Sequence, residues 1–447
     1  MKTLDRYGHI APALFTLSIF GLVWRYGTES FLGITPKPFE ILFSILLTFV
    51  LFDIFISEEG RILLHRIRPT LASYSALLGA LLIFIILGSV FSFPGWIFHI
   101  KDVLIGFVNI IFSFIVFFVS AYTVVRNRDN LHRGLVALTL SPLVFLLAFI
   151  PKWQDFFINN ARLIGAQNDP NITAIIIATG LILSSAFFLY SDSRLRLLSG
   201  LNVVFLVPLF LWADSRGANF SIALTLSLLA IFYLFKEASL QRVKAVFALF
   251  CIIFFSISAA YLVLPEDTRI SIYSRSVVPT FPSESLSAFV LEHWVFRGDG
   301  YKYSTFDRNV SLDNFNLSRG DLWASALERV VKSPLGFGPA YHKWSPIGRD
   351  VGAHNTWLQV PLTTGWGGFL SWTVLLYLVF RAGLKAIRKE TLVGVALLAE
   401  FTFLLVSIVF IDAFTLKHLW LIMGMIVGYS ISQSNAEPKS IGASSDL

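Results

Sequence analysis

The chain contains one cysteine in 447 residues, Cys251, and it lies inside the apolar run Ala245–Leu264. An intrachain disulfide and a thiolate metal cluster are therefore excluded. Charge is scarce too: Asp, Glu, Lys and Arg make up 14% of the residues, about half of what a soluble chain carries. There is no HExxH, no His cluster at ligand spacing, no GxSxG elbow and no Gly-rich loop ending in Lys-Ser or Lys-Thr. What is present is hydrophobic, 55% of the chain, with 44 Phe and 11 Trp. A soluble chain of this length divides into domains of ~150 residues with polar surfaces, and these side chains do not fit such surfaces. The composition excludes a soluble enzyme, a disordered chain and a disulfide scaffold. It describes an all-α polytopic membrane protein.

A membrane span needs about 20 apolar residues to cross ~30 Å of hydrocarbon. About twelve runs qualify, near 8–24, 39–56, 71–91, 102–125, 134–150, 172–190, 197–213, 217–235, 245–264, 357–380, 391–411 and 413–432. The first runs into Trp24-Arg25-Tyr26, an interfacial anchor and not a small-residue cleavage site, so it is expected to remain a span. With the N-terminus in the cytoplasm, the short loops on that side hold about 18 Lys and Arg, against about seven on the other. Both termini are thus expected to be cytoplasmic. The net charge of +7 then reports orientation in the membrane, and no nucleic-acid partner is expected.

One connection differs from the rest. Residues 265–353 form an outer loop of nearly ninety residues, rich in Trp, Phe and Tyr, and loops of that length are usually functional. An interfacial helix is expected over 286–296. A second is expected to open at Ser318-Arg319-Gly320-Asp321, to carry Leu322, Trp323, Ala326, Leu327, Val330 and Val331 at helical spacing, and to stop at Pro334. Gly336-Phe337-Gly338-Pro339 reads as the turn that returns the chain to the bilayer. The expected division is spans 1–9 over 1–264, a loop domain over 265–353, spans 10–12 over 354–432 and a polar tail over 433–447.

Three outer-face fragments carry chemistry. In the short loop before the eighth span, Asp214 or Ser215 can cap the helix and place Arg216 in its first turn. Arg216 fits either an anion site or an interfacial arginine whose charge snorkels to water. Arg319 falls in the first turn of the loop helix, where guanidinium and helix dipole together favour a phosphate, although pairing with Asp321 is the alternative. His354 precedes Asn355 and Thr356, either of which can cap the tenth span. A helix N-terminus disfavours imidazolium, so His354 is expected to be neutral and able to accept a proton, or else to sit satisfied by a backbone carbonyl. Two cations and a base on one face suit a nucleophilic displacement with a diphosphate leaving group. The loop carboxylates form no tight pair, which weighs against a metal-assisted route.

The order of these fragments carries a family resemblance. Ser215-Arg216-Gly217-Ala218 precedes a long outer loop. Ser318-Arg319-x-x-Leu322-Trp323, Ser333-Pro334-Leu335-Gly336-Phe337-Gly338, His354-Asn355-Thr356-Trp357-Leu358-Gln359 and Gly365-Trp366-Gly367-Gly368 then follow in turn. The pattern resembles the bacterial O-antigen ligase and O-antigen polymerase superfamily, with the ligase nearer by span count and loop position. The motifs lie within about 212–370.

The resemblance implies a GT-C-type glycosyltransferase of about twelve spans with a large, partly helical periplasmic loop between spans 9 and 10. It implies an undecaprenyl-diphosphate-linked glycan as donor and lipid A–core as acceptor, at the periplasmic face of the bacterial inner membrane. It also implies inversion at the anomeric centre without metal, cofactor or nucleotide sugar. On the same ground His354 is the base, Arg216 and Arg319 bind the diphosphate, Arg275 is the runner-up for Arg319, and Asn355, Ser215 and Trp323 support the site. The stretch 265–317 does not map onto the family.

Three other readings use related parts. An O-antigen polymerase extends a lipid-linked chain, and a protein O-oligosaccharyltransferase usually carries a longer C-terminal region. A lipid-linked glycan transporter is expected to show paired halves and ionisable residues at mid-membrane. Here Asp53, Glu400, Asp412 and Lys417 are all expected near span ends.

Overall fold

The computed structural model describes residues 4–22, 37–92, 99–148, 157–158, 162–163, 170–213, 215–236, 239–263, 319–339, 355–389 and 391–435. Thirteen helices lie among them: α1 (Leu4–Gly21), α2 (Pro38–Ile56), α3 (Glu58–Phe91), α4 (Ile100–Arg126), α5 (Asp129–Ala148), α6 (Pro170–Tyr190), α7 (Ser193–Ala213), α8 (Arg216–Lys236), α9 (Leu240–Val263), α10 (Arg319–Lys332), α11 (Thr356–Lys389), α12 (Thr391–Ser407) and α13 (Lys417–Asn435). Eight of them, α2, α3, α4, α6, α7, α8, α9 and α11, are long and apolar enough to cross a membrane, and α1 and α12 contain shorter apolar stretches. This is the pattern of a polytopic membrane protein. Twelve of the helices lie on the twelve apolar runs in order, and the loop helix α10 falls where the spacing of Trp323, Ala326 and Val330 put it, ahead of Pro334.

Local chemistry sets the ends. Pro38 opens α2, where its missing N–H costs nothing, and Glu40 accepts from the backbone N of Lys37 at 3.1 Å. Ser57 opens α3 by accepting from Gly60 N at 3.1 Å. Between helices, small residues allow close approach, as apolar packing in lipid requires. Gly424 and Gly428 of α13 lie against the carbonyls of Phe117 and Ala121 in α4. Within the span of α6, 94% of the residues are buried, so this helix is the central post of the bundle. It packs against α5, α7, α8 and α12.

The ends of the bundle are distinguishable. At one end, Arg126 on α4 bridges Asp53 (3.1 Å) and Glu59 (2.7 Å), Tyr122 donates to Asp53 at 2.6 Å, and Arg128 donates to the Tyr429 hydroxyl at 3.2 Å. The α2–α3 and α4–α5 connections and the end of α13 meet there. Helix alternation puts the starts of α8, α11 and α13 at the opposite end.

Between α5 and α6, Phe157–Ile158 and Arg162–Leu163 form a two-residue antiparallel pair, Phe157 opposite Leu163, and the other elements among the described residues are helices. One expectation is corrected. Glu400 is not near a helix end. It sits mid-way along α12, as it does along the apolar run 391–411 itself, and has no exposed surface. Lys417 is the first residue of α13, near a helix end as expected, and its ammonium reaches the carbonyl (3.3 Å) and side-chain oxygen (3.2 Å) of Asn109 on α4. The expected interfacial helix over 286–296 lies outside the described residues.

Candidate active site

The glycine-rich fragments build an interrupted helix. In α11, Gly365 has φ 67° and ψ −174°, a conformation essentially confined to glycine, and the helix breaks there. Counted from Thr356, the break lies about 14 Å along the helix. A break inside a membrane bundle frees backbone groups that have no water to bind. The segment after α10 supplies the partners. Phe337 N donates to Leu362 O (2.7 Å), Gly338 N donates to Thr363 O (3.0 Å), and Trp366 N donates to Pro334 O (2.9 Å). Gly336 and Gly338 also have positive φ, 75° and 79°, and Gly88 on α3 lies against the carbonyl of Leu335. Gly336-Phe337-Gly338 is therefore more than a turn back to the bilayer: it is wedged between α3 and the broken α11.

This wedge fixes α10. Ala326 and Val330 bury against Leu362, with Leu358 and Phe337 alongside, so α10 descends beside the first turns of α11. Arg319 opens α10, and Trp323 is half-buried one turn later.

The start of α11 is held by a distant piece of chain, the turn 408–416 between α12 and α13. Asn355 is buried and caps the helix, its Oδ1 accepting from Trp357 N at 2.9 Å. Its own N–H donates to Asp412 Oδ1 at 3.1 Å. Thr356 has no exposed surface, and its N–H donates to Ile408 O at 2.8 Å. The Thr356 hydroxyl donates to Ile411 O and accepts from Ala413 N, both at 2.7 Å. Phe414 N donates to Gln359 Oε1 at 3.3 Å. The residue next to His354 is thus immobilised from two sides.

The start of α8 rests on the same turn. Ser215 is buried, donates to Asn171 Oδ1 at 2.9 Å and accepts weakly from Ala218 N at 3.5 Å, so it is the cap expected there. Gly217 lies directly on Phe410, and the Phe220 and Phe410 rings meet edge-on at 6.0 Å. A larger residue at 217 has no room. Arg216 is the first residue of α8.

Of the residues singled out in the sequence, Ser215, Asn355 and Trp323 are described in full. Arg216 and Arg319 are placed at helix starts, their side chains lying outside what is described, and His354, Arg275 and Asp214 fall outside the described residues. What the structure joins is the three helices that bear Arg216, Arg319 and, one residue on, His354: α8 and α11 through the turn 408–416, and α10 through its packing on α11. Sequence reasoning missed Phe410, Asp412, Gln359 and Asn171. The available hint was a lone carboxylate in the short connection between the last two apolar runs. Among the described residues, no group of three His, Cys, Asp or Glu side chains is placed to share a metal ion.

No curated protein matches the sequence. Residues 201–373 match the family model described as O-antigen ligase (Wzy_C). This segment runs from α7 through the Gly365 break and takes in the starts of α8, α10 and α11, so the likeness to that family falls on the helices that begin at Arg216 and Arg319 and on the residues that follow His354.

Proposed function

We propose that this protein is an O-antigen ligase: a multi-pass glycosyltransferase that moves a glycan from undecaprenyl diphosphate to a sugar hydroxyl of lipid A–core. The observation that carries the proposal is the meeting of the α8 and α11 starts on one turn, Gly217 on Phe410 and Asn355 and Thr356 on Ile408–Ala413. It brings the neighbourhoods of Arg216 and His354 to one end of the bundle, where the family's chemistry needs them.

In the proposed reaction the acceptor hydroxyl gives its proton to the imidazole of His354 as its oxygen attacks the anomeric carbon. The bond from that carbon to the diphosphate oxygen breaks, and the electron pair leaves with undecaprenyl diphosphate. Attack opposite the leaving group inverts the centre. Arg216 and Arg319, or Arg275 in place of Arg319, bind the diphosphate and stabilise the charge growing on it. Asp412 holds the backbone beside His354, and the chemistry calls for no metal. The same proposal has twelve spans of GT-C type in the bacterial inner membrane, both termini in the cytoplasm and the site at the periplasmic face. The charge bias of the short loops supports that orientation.

A second reading has one observation in its favour. Glu400 and His418 are buried within the bundle, and ionisable residues there are common in transporters. One assay separates the readings. Purified protein in detergent is given undecaprenyl-diphosphate glycan and lipid A–core, with and without EDTA. Glycosylated lipid A–core, formed equally in EDTA, is the expected product. Longer lipid-linked chains instead make the protein a polymerase. No transfer of either kind returns the transporter reading, because transport needs two compartments and transfer does not.

A further inference from the structure

Three buried polar side chains from three helices meet beneath the turn 408–416. The Thr179 hydroxyl on α6 is 2.6 Å from Glu400 Oε1 on α12. His418 Nε2 on α13 is 3.4 Å from the same carboxylate oxygen and 3.3 Å from the Thr179 hydroxyl. All three are buried, Glu400 completely. A carboxyl group inside a membrane bundle is costly, and apolar packing of similar volume is often as stable or more so. Stability alone therefore gives no reason for this cluster.

Its position gives one. Glu400 lies on the helix that enters the turn, and His418 is the second residue of the helix that leaves it. The pair ties both limbs of the turn together, and Thr179 ties them to α6. The second residue of the same α6 is Asn171, which accepts from Ser215 beside Arg216. One central helix thus supports the Arg216 neighbourhood through Asn171 and the His354 neighbourhood through Thr179, Glu400, His418 and the turn.

We propose that Thr179, Glu400 and His418 form a buried anchor that sets the position of the turn 408–416, and so act as positioning residues for His354. This rests on the role proposed for His354. Misplacing a catalytic group by about 1 Å can cost on the order of 100-fold in rate. The start of α8 has its own tie to α6 through Ser215 and Asn171, so loss of the anchor loosens α11 more than α8. The effect belongs in kcat, with the donor KM little changed.

The test is steady-state transfer by the purified full-length protein in detergent, with kcat and donor KM measured separately. Glu400→Ala is expected to lower kcat tenfold or more with donor KM within twofold. Glu400→Gln, which keeps an acceptor for Thr179, is expected to recover most of the loss. Thr179→Val and Thr179→Ser repeat the comparison more gently and carry the test if Glu400→Ala does not fold. The serine is expected to match wild type and the valine to lose kcat. Wild-type kcat in both Glu400→Ala and Thr179→Val overturns the anchor. So does a kcat loss matched by an equal rise in KM, or a Gln variant no better than Ala. His354→Ala, measured in parallel, separates the two levels. If that variant transfers at the wild-type rate, the role proposed for His354 fails by itself; if it is inactive while the anchor variants are normal, only the anchor fails.

Discussion

The two ends of the helix bundle are held together in different ways. At the end where the α2–α3 and α4–α5 connections meet, the links are between side chains: Arg126 with Asp53 and Glu59, Tyr122 with Asp53, Arg128 with Tyr429. At the other end they run largely through the backbone. The broken α11 is completed by Phe337, Gly338 and Pro334, and the first turn of α11 by Ile408, Ile411 and Ala413. Side-chain pairs lock regular helices to one another. Backbone pairing lets helices start and stop inside the bundle, which is what a site at helix termini requires.

That contrast is most severely tested at Gly365. Gly365→Ala puts a Cβ 2.5 Å from the carbonyl carbon of Leu335 and forces alanine into glycine-only backbone space. Loss of folded, monodisperse protein in detergent chromatography is expected, and a well-folded active variant would mean that the break is not required. Next in size is Arg216→Lys. An ammonium cannot copy a two-pronged guanidinium contact, so transfer is expected to fall about 100-fold with normal expression. Wild-type turnover by this variant would leave Arg216 as an interface anchor.

Thr356→Val keeps the shape of the side chain and removes both hydroxyl bonds to the turn. Leaving Ile411 O and Ala413 N unpaired costs about 1–3 kcal/mol each, so a lower thermal midpoint and roughly tenfold slower transfer are expected together. A lower midpoint without slower transfer would uncouple the turn from the chemistry. The smallest effect on transfer belongs to the other end. Arg126→Ala removes the charged partner of buried Asp53, which keeps Tyr122. A loss of about 1–3 kcal/mol in stability with unchanged kcat is expected, and a large kcat loss there would erase the distinction between the ends.

The same contrast explains what could be read from the sequence. Long apolar runs announce helices whatever their neighbours are, so most spans and the loop helix before Pro334 were legible. The caps Ser215 and Asn355 were legible because capping is decided within four residues. The pairing of Phe337 with Leu362, and of Thr356 with Ile408, was not, since backbone groups are the same in every residue and their partners are set by the tertiary fold. Glycines 336, 338 and 365 were the only trace of it, the first two reading as a turn and the third as part of the tenth span. The turn 408–416 was hidden for a related reason: its residues Ile408-Val409-Phe410-Ile411 are as apolar as a span. The matched family segment ends at residue 373, short of this turn, so the resemblance did not reveal it either.

The central claim is that His354, the residue before Asn355, takes the acceptor's proton. It is tested most directly by transfer from undecaprenyl-diphosphate glycan to lipid A–core with His354→Gly, with and without added imidazole. The expected result is a loss of at least about 100-fold that free imidazole partly restores, rising to a plateau with its concentration. Wild-type transfer by the glycine variant without imidazole would contradict the account.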